Sequence, residues 1–192
     1  MTTPARDGKV RCGWATSAPE YIRYHDEEWG VVLRGDDALF ERLCLEAFQS
    51  GLSWITILRK RPAFRTAFAG FRIAAVADFD EHDALRLMAD PGIVRNRQKI
   101  DAALSNARIS LELDGGLDAL LWSFAPVHTT RPHSPAEVPA ITAESTALAK
   151  DLKGRGFRFV GPTTAYALMQ ATGMVDDHVS GCWRAGQSAR GA

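Results

Sequence analysis

Apolar residues in this chain return every three or four positions, and nowhere do they alternate with polar ones over the roughly four to eight residues of a half-buried strand. Ile93, Ile100, Leu104, Ala107 and Leu111 fall within one narrow arc at about 100° per residue. A chain patterned this way can hide its apolar surface only by packing helix on helix, so an all-α fold is expected.

The breaks divide the pattern into segments. Asp36 and Asp37 offer a cap for a helix with Leu39, Phe40, Leu43, Cys44, Ala47 and Phe48 on one broad face, stopped by Gly51. Ser53 should cap a shorter helix that Pro62 interrupts. The arc from Ile93 ends at Gly115 and Gly116, and a short helix over 117–124 follows. Residues 126–139 hold four Pro, two His and two Thr, and read as an irregular connection between two lobes of one domain spanning 1–182. Residues 142–152 read as helix and 154–161 as a tight turn. Pro162 then opens a helix reaching about Thr172, before Gly173. The polar, Gly-containing stretch 183–192 reads as a flexible tail.

Lys plus Arg equals Asp plus Glu at 23 each, so no global positive charge announces a nucleic acid; a local patch would have to supply it. No apolar run approaches a membrane span, and the first ten residues lack the apolar stretch of a secretory signal. Three Cys in such a chain point to a reducing cytoplasm and to metal or plain burial, not to a disulfide framework.

Two pairs of soft ligands lie far apart: Cys12 with His25, and His178 with Cys182. Two Cys and two His suffice for tetrahedral zinc, and such a set leaves no open position, so the metal would be structural and would staple the chain ends together. Twelve residues separate the first pair, so unrelated residues are the competing reading. Cys44 reads as a core thiol, and His82, His128 and His133 as solvent-facing.

Trp14, Tyr21, Tyr24, Trp29 and Trp54 crowd one segment with a single carboxylate, Glu46, at the edge of the apolar arc of Leu39, Leu43 and Ala47. A carboxylate there is partly buried, which is costly without a partner. That partner is either an Arg or a ligand. Aromatic faces plus one carboxylate suit a planar cationic heterocycle; the bland reading is a core with a salt bridge. Further on, Gly154, Gly156 and Gly161 lie between two helices among Lys150, Lys153, Arg155 and Arg158, a combination suited to a phosphate oxygen.

Five motifs then converge: R-C-G-W at 11–14, Y-I-x-Y-H-D-x-E-W-G at 21–30, L-E-x-x-Q-x-G-L-S-W at 45–54, G-F-x-F-V-G at 156–161 and D-H-V-x-G-C at 177–182. Together they resemble the bacterial 3-methyladenine DNA glycosylase I family over nearly the whole chain. The resemblance implies a helix–hairpin–helix glycosylase fold, with Cys12, His25, His178 and Cys182 as ligands of one structural zinc. It implies that Tyr24 and Glu46 hydrogen-bond an extruded base, that Trp54 stacks on it, and that Trp14 and Tyr21 are aromatic neighbours, while Trp29 braces the wall.

The implied activity is monofunctional base excision repair in the cytoplasm: hydrolysis of the N-glycosidic bond of 3-methyladenine in alkylated duplex DNA after base flipping, by a monomer that releases the free base. Lys153, Gly156 and Gly161 would hold phosphates, and Leu52 would enter the gap in the duplex. Asp176 occupies the slot where the wider superfamily places a catalytic Asp in V-D-x-H, so it is a candidate to stabilise the oxocarbenium, against a plain capping role. Ala47 and Phe48 depart from the residues seen in some members, which puts the pocket's shape in question. A non-catalytic DNA-binding module, a zinc-dependent hydrolase and a structural adaptor are the rival readings.

Overall fold

In the computed structural model, which describes residues 2–4, 7–127 and 130–187, nine α-helices among the described residues follow the periodicity. They are α1 (Pro19–Glu27), α2 (Asp36–Gln49), α3 (Trp54–Ala67), α4 (Ile73–Ala77), α5 (Glu81–Ala89), α6 (Arg97–Leu111), α7 (Gly116–Trp122), α8 (Ala143–Gly154) and α9 (Pro162–Ala171). A departure from all-α stands at the N-terminus, where β1 (Thr2–Pro4) and β2 (Val10–Cys12) pair antiparallel. Strands this short carry too few residues to display alternation.

Several local expectations are corrected. Pro62 lies inside α3 instead of ending it. The ring removes one backbone hydrogen bond, but Ile57, Leu58, Arg61 and Phe64 of the same helix are buried, and that packing prevails. Asp36 and Asp37 do not cap α2. They accept from Asp118 N (2.7 Å) and Ile73 N (2.8 Å), in the first turns of α7 and α4, and so tie three helices together. Ser53 makes no cap bond, its hydroxyl pairing with Thr56 Oγ1 at 2.9 Å. Ile93 falls outside α6, although it stays buried, and Leu111 at the end of the arc is 58% exposed.

The main core draws on α2 through α9, with Phe48, Phe64, Phe68 and Phe71 packed ring against ring. A second, small cluster of Cys12, Val179 and Cys182 joins the two ends of the chain, and Trp183 N donates to Val10 O at 2.8 Å. Gly173 shows how closely the two parts meet. Its φ is +74°, and a Cβ there would lie 2.7 Å from the backbone of Val31 and Val32. Gly30 N and Leu33 N donate to the carbonyls of Gln170 and Thr172 beside it, docking the segment after α1 on the end of α9.

Residues 126–139 are irregular where described, apart from one 3-10 turn at Pro135–Glu137. His82 and His133 are exposed as expected; His128 and residues 188–192 lie outside the described residues. Cys44 is buried in the core. No helix among the described residues is long and apolar enough to cross a membrane.

Candidate functional site

Four helices, α1, α2, α3 and α9, and the turn after Cys12 surround a cavity of about 410 Å³, lined by Trp14, Ser17, Tyr21, Tyr24, Glu46, Gln49, Trp54 and Ala167. Tyr21 and Tyr24 are three apart on α1 and so share a face. Trp54 opens α3, where the Tyr21 hydroxyl accepts from Ile55 N at 3.0 Å. Trp14 comes from the 3-10 turn Gly13–Thr16 and meets Tyr21 edge-on at 5.7 Å between centroids, while Tyr24 and Trp54 lie 5.4 Å apart. Trp29 supports Trp14 from behind at 5.1 Å and does not line this cavity.

Glu46 is 5% exposed. Among the described residues no group hydrogen-bonds its carboxylate. Burial pushes its pKa up to about 7, against a smaller downward pull from Arg42 one turn earlier on α2. The salt bridge that would make Glu46 an ordinary core residue is absent among the described residues, because Arg42 turns instead to Glu28 (3.3 Å) and, more weakly, to the Tyr24 hydroxyl (3.4 Å). Burial also raises the Tyr24 phenol. The indole N–H of Trp54 is buried without a partner. The cavity thus offers flat apolar faces and one unsatisfied carboxylate, which favours a flat ligand carrying positive charge and N–H donors.

Behind Trp14 the four soft residues converge. Ligand atoms of Cys12, His25 and Cys182 lie within 4.8 Å of one another, all buried. His178 completes the surroundings with its ring 5.0 Å from that of His25, and its Nε2 is buried with no partner. Each imidazole is gripped through Nδ1 by a carboxylate at 2.9 Å, His25 by Asp26 and His178 by Asp176. This is the outer arrangement that turns Nε2 toward a metal. Contacts from Cys12 and His25 lower the Cys182 thiol below the usual range, and the contact between the two thiols raises Cys12. Donor types, burial and the orphaned nitrogen fit a closed tetrahedral site.

Asp176 is therefore already engaged. Burial alone would raise its pKa, yet bonds from His178 and from Gly186 N (2.8 Å) hold it down at about 2, and Arg131 lies 3.3 Å away. It does not line the aromatic cavity. Its neighbour Asp177, buried and accepting from Tyr166 (2.6 Å) and Gln170 (2.7 Å), escaped the sequence reading, as did Asp26.

The last turn of α8 carries Lys153, and the turn from there to α9 carries Gly156 and Gly161, with Lys153 and Gly156 exposed. Gly156 needs its φ of +96°; Gly161 has ordinary φ but open space in front, leaving room for a ligand at the start of α9. Asn106 of α6, buried, clamps this turn by bonding both Arg158 N (2.9 Å) and Arg158 O (3.1 Å). One Asn on an amphipathic helix gives no sequence hint of such a partner. Leu52, after Gly51 (φ +82°), is 42% exposed on the turn between α2 and α3.

Comparison with known proteins extends this picture. Residues 14–185 match the sequence pattern of the methyladenine glycosylase family. The chain is 46% identical to DNA-3-methyladenine glycosylase 1 of Escherichia coli over 90% of this chain and 95% of that protein, and 41% identical to the DNA-3-methyladenine glycosylase of Haemophilus influenzae over 90% and 96%. A crystal structure of 3-methyladenine DNA glycosylase I superposes with a TM-score of 0.86 at 45% identity, covering 90% of this chain and 98% of the other. The Staphylococcus aureus enzyme, solved to explain 3-methyladenine recognition, superposes at 0.85 with 35% identity, over 90% and 95%.

Proposed function

The chain belongs to the methyladenine glycosylase family, and from that premise we propose that it excises 3-methyladenine from alkylated DNA in base excision repair. The observation that carries the reading is Glu46, a buried carboxylate with no hydrogen bond among the described residues in a cavity walled by aromatic rings. Methylation at N3 makes adenine cationic and a good leaving group. An ionised Glu46 favours that cation over neutral adenine, and the same preference persists as charge develops at the sugar.

In this reading duplex DNA is the substrate and the nucleotide is flipped out at a cost of a few kcal/mol. Tyr24 and Glu46 hydrogen-bond the base, Trp54 stacks on it, and Trp14 and Tyr21 close the sides. Leu52 fills the vacated stack. The α8–turn–α9 unit is the hairpin that holds phosphates through Lys153 and the N–H groups that open α9 after Gly161, with Gly156 bending the turn, without reading sequence. Water attacks C1′, and no lysine among the described residues is placed for a covalent step. The protein acts as a monomer in the cytoplasm, and residues 1–182 form one catalytic domain.

Cys12, His25, His178 and Cys182 would hold one zinc ion, which with four protein ligands supplies cross-linking and no Lewis-acid chemistry. Asp26 and Asp176 orient the imidazoles, and this occupation favours a positioning role for Asp176 over a catalytic one. The deciding experiment is an excision assay on methylated duplex DNA with the released bases identified. Release of 3-methyladenine, lost in Glu46→Gln, is expected; DNA binding without base release would return the chain to a non-catalytic DNA-binding module.

A further inference from the structure

Lys99 is a buried cation that the excision chemistry leaves unused. It stands in the first turn of α6, where Asn96 caps the helix by accepting from Lys99 N at 3.1 Å. Its side chain is 7% exposed and reaches across to the end of α2, donating from Nζ to Phe48 O (2.9 Å) and Ser50 O (2.6 Å).

The last carbonyls of a helix have no partners of their own. At the end of α2, Ser50 N bonds Ala47 O, Leu52 N bonds Gln49 O, and Lys99 takes the two between and beyond them. All four carbonyls from 47 to 50 are thereby bonded, and the positive charge also faces the negative end of the helix dipole. The turn fixed in this way carries Gln49 on the cavity wall and Leu52 exposed on the outside, three residues apart. A neutral side chain of the same length could fill the volume but would leave both carbonyls bare. Desolvation lowers the ammonium pKa, a cost that ordinary packing would not require.

We propose that Lys99 is a positioning residue that locks the α2–α3 turn so that Leu52 is presented to the gap left by the extruded nucleotide. The inference rests on the reading of this turn as DNA-facing. Its consequence is a division by substrate. Duplex excision depends on the lock because the stack must be filled; binding of the free base, which enters the cavity directly, does not.

The test measures single-turnover excision from methylated duplex and methylated single-stranded DNA, and tryptophan-fluorescence titration with free 3-methyladenine, in the full chain. For Lys99→Met, duplex excision should fall on the order of tens of fold, as expected for a displaced positioning element. Single-strand excision and free-base affinity should stay near wild type, and Lys99→Arg should recover part of the duplex rate. Unchanged duplex excision in Lys99→Met overturns the inference, and so does an equal loss in all three measurements, which marks general destabilisation. Should Lys99→Met fail to fold, the duplex-to-single-strand ratio of Lys99→Arg decides, with a fall expected and an unchanged ratio overturning. Leu52→Ala separates the two layers. If it leaves the ratio untouched, the DNA-facing reading of the turn fails; if it lowers the ratio and Lys99→Met does not, only the Lys99 inference fails.

Discussion

Trp14 packs edge-on against His25 with ring centroids 5.5 Å apart, so a wall of the aromatic cavity leans directly on the thiol–imidazole cluster. Trp29 closes the same corner from the other side, 4.6 Å from His178. Cavity and cluster are neighbours through one layer of rings, and disturbance of one is felt in the other.

Metal removal therefore has two readouts. One zinc per chain is expected by elemental analysis. Stripping it, or making Cys182→Ser, should lower Tm by roughly 10 °C, which corresponds to a loss of about 3–5 kcal/mol in a chain of this length. Protein so treated and kept below its new Tm should bind free 3-methyladenine less tightly, through loosened Trp14.

Glu46→Gln keeps the shape and removes the charge. Excision should drop about 10²-fold, the scale of losing one preorganised electrostatic contact. Stability should move the other way. The folded-state pKa of about 7 lies above the ordinary value of 4.5, so the wild type loses stability as pH rises from about 4.5 through 7, and the amide does not. Above pH 7 the variant should be more stable by up to about 3 kcal/mol in urea unfolding.

The same group sets a pH profile. With a free-enzyme pKa of about 7, kcat/KM should fall as pH drops through that value, because protonated Glu46 no longer attracts the cation. A bound cation favours the carboxylate, so the corresponding limb of kcat should lie at lower pH. Both limbs should vanish in Glu46→Gln.

Asp176→Asn addresses the choice between orienting and catalytic roles. With its carboxylate bound to His178 and Gly186, the variant should weaken metal retention about 10–100-fold in a chelator competition. Single-turnover excision by the metal-loaded variant should stay close to wild type. A large loss with metal fully bound would restore Asp176 to the chemistry.

Asn106→Ala should release the α8–α9 turn. Two hydrogen bonds to Arg158 disappear, and DNA affinity should fall about tenfold. The slope of log K against log salt should be unchanged, since no phosphate-contacting cation is lost.

Helix locations were legible because burial imposes a period on sequence: α2, α6, α8 and α9 lie close to where their apolar arcs put them. Local signals failed where a distant partner intervened. Pro62 is overridden by the packing of α3, and Asp36 and Asp37 cap helices far along the chain instead of their own. The cavity's aromatics and Glu46 were visible as an anomaly of composition. Lys99 and Asn106 were not, since each is defined by a bond to backbone elsewhere that spacing cannot encode, and the bond from Trp183 to Asp26 spans 157 positions.

The contact between Cys182 Sγ and His25 Nε2, at 3.4 Å across 157 positions of sequence, sets an order of events during synthesis. Cys12 and His25 emerge from the ribosome well before their partners, and His25 must wait for the 157 positions that lead to Cys182. Helices up to α9 can collapse meanwhile, but the closing of the ends comes last and over the longest loop. A product broken off between His25 and Cys182 carries an open thiol and an unsupported aromatic wall, so the cavity is finished only once the segment through Cys182 has been made.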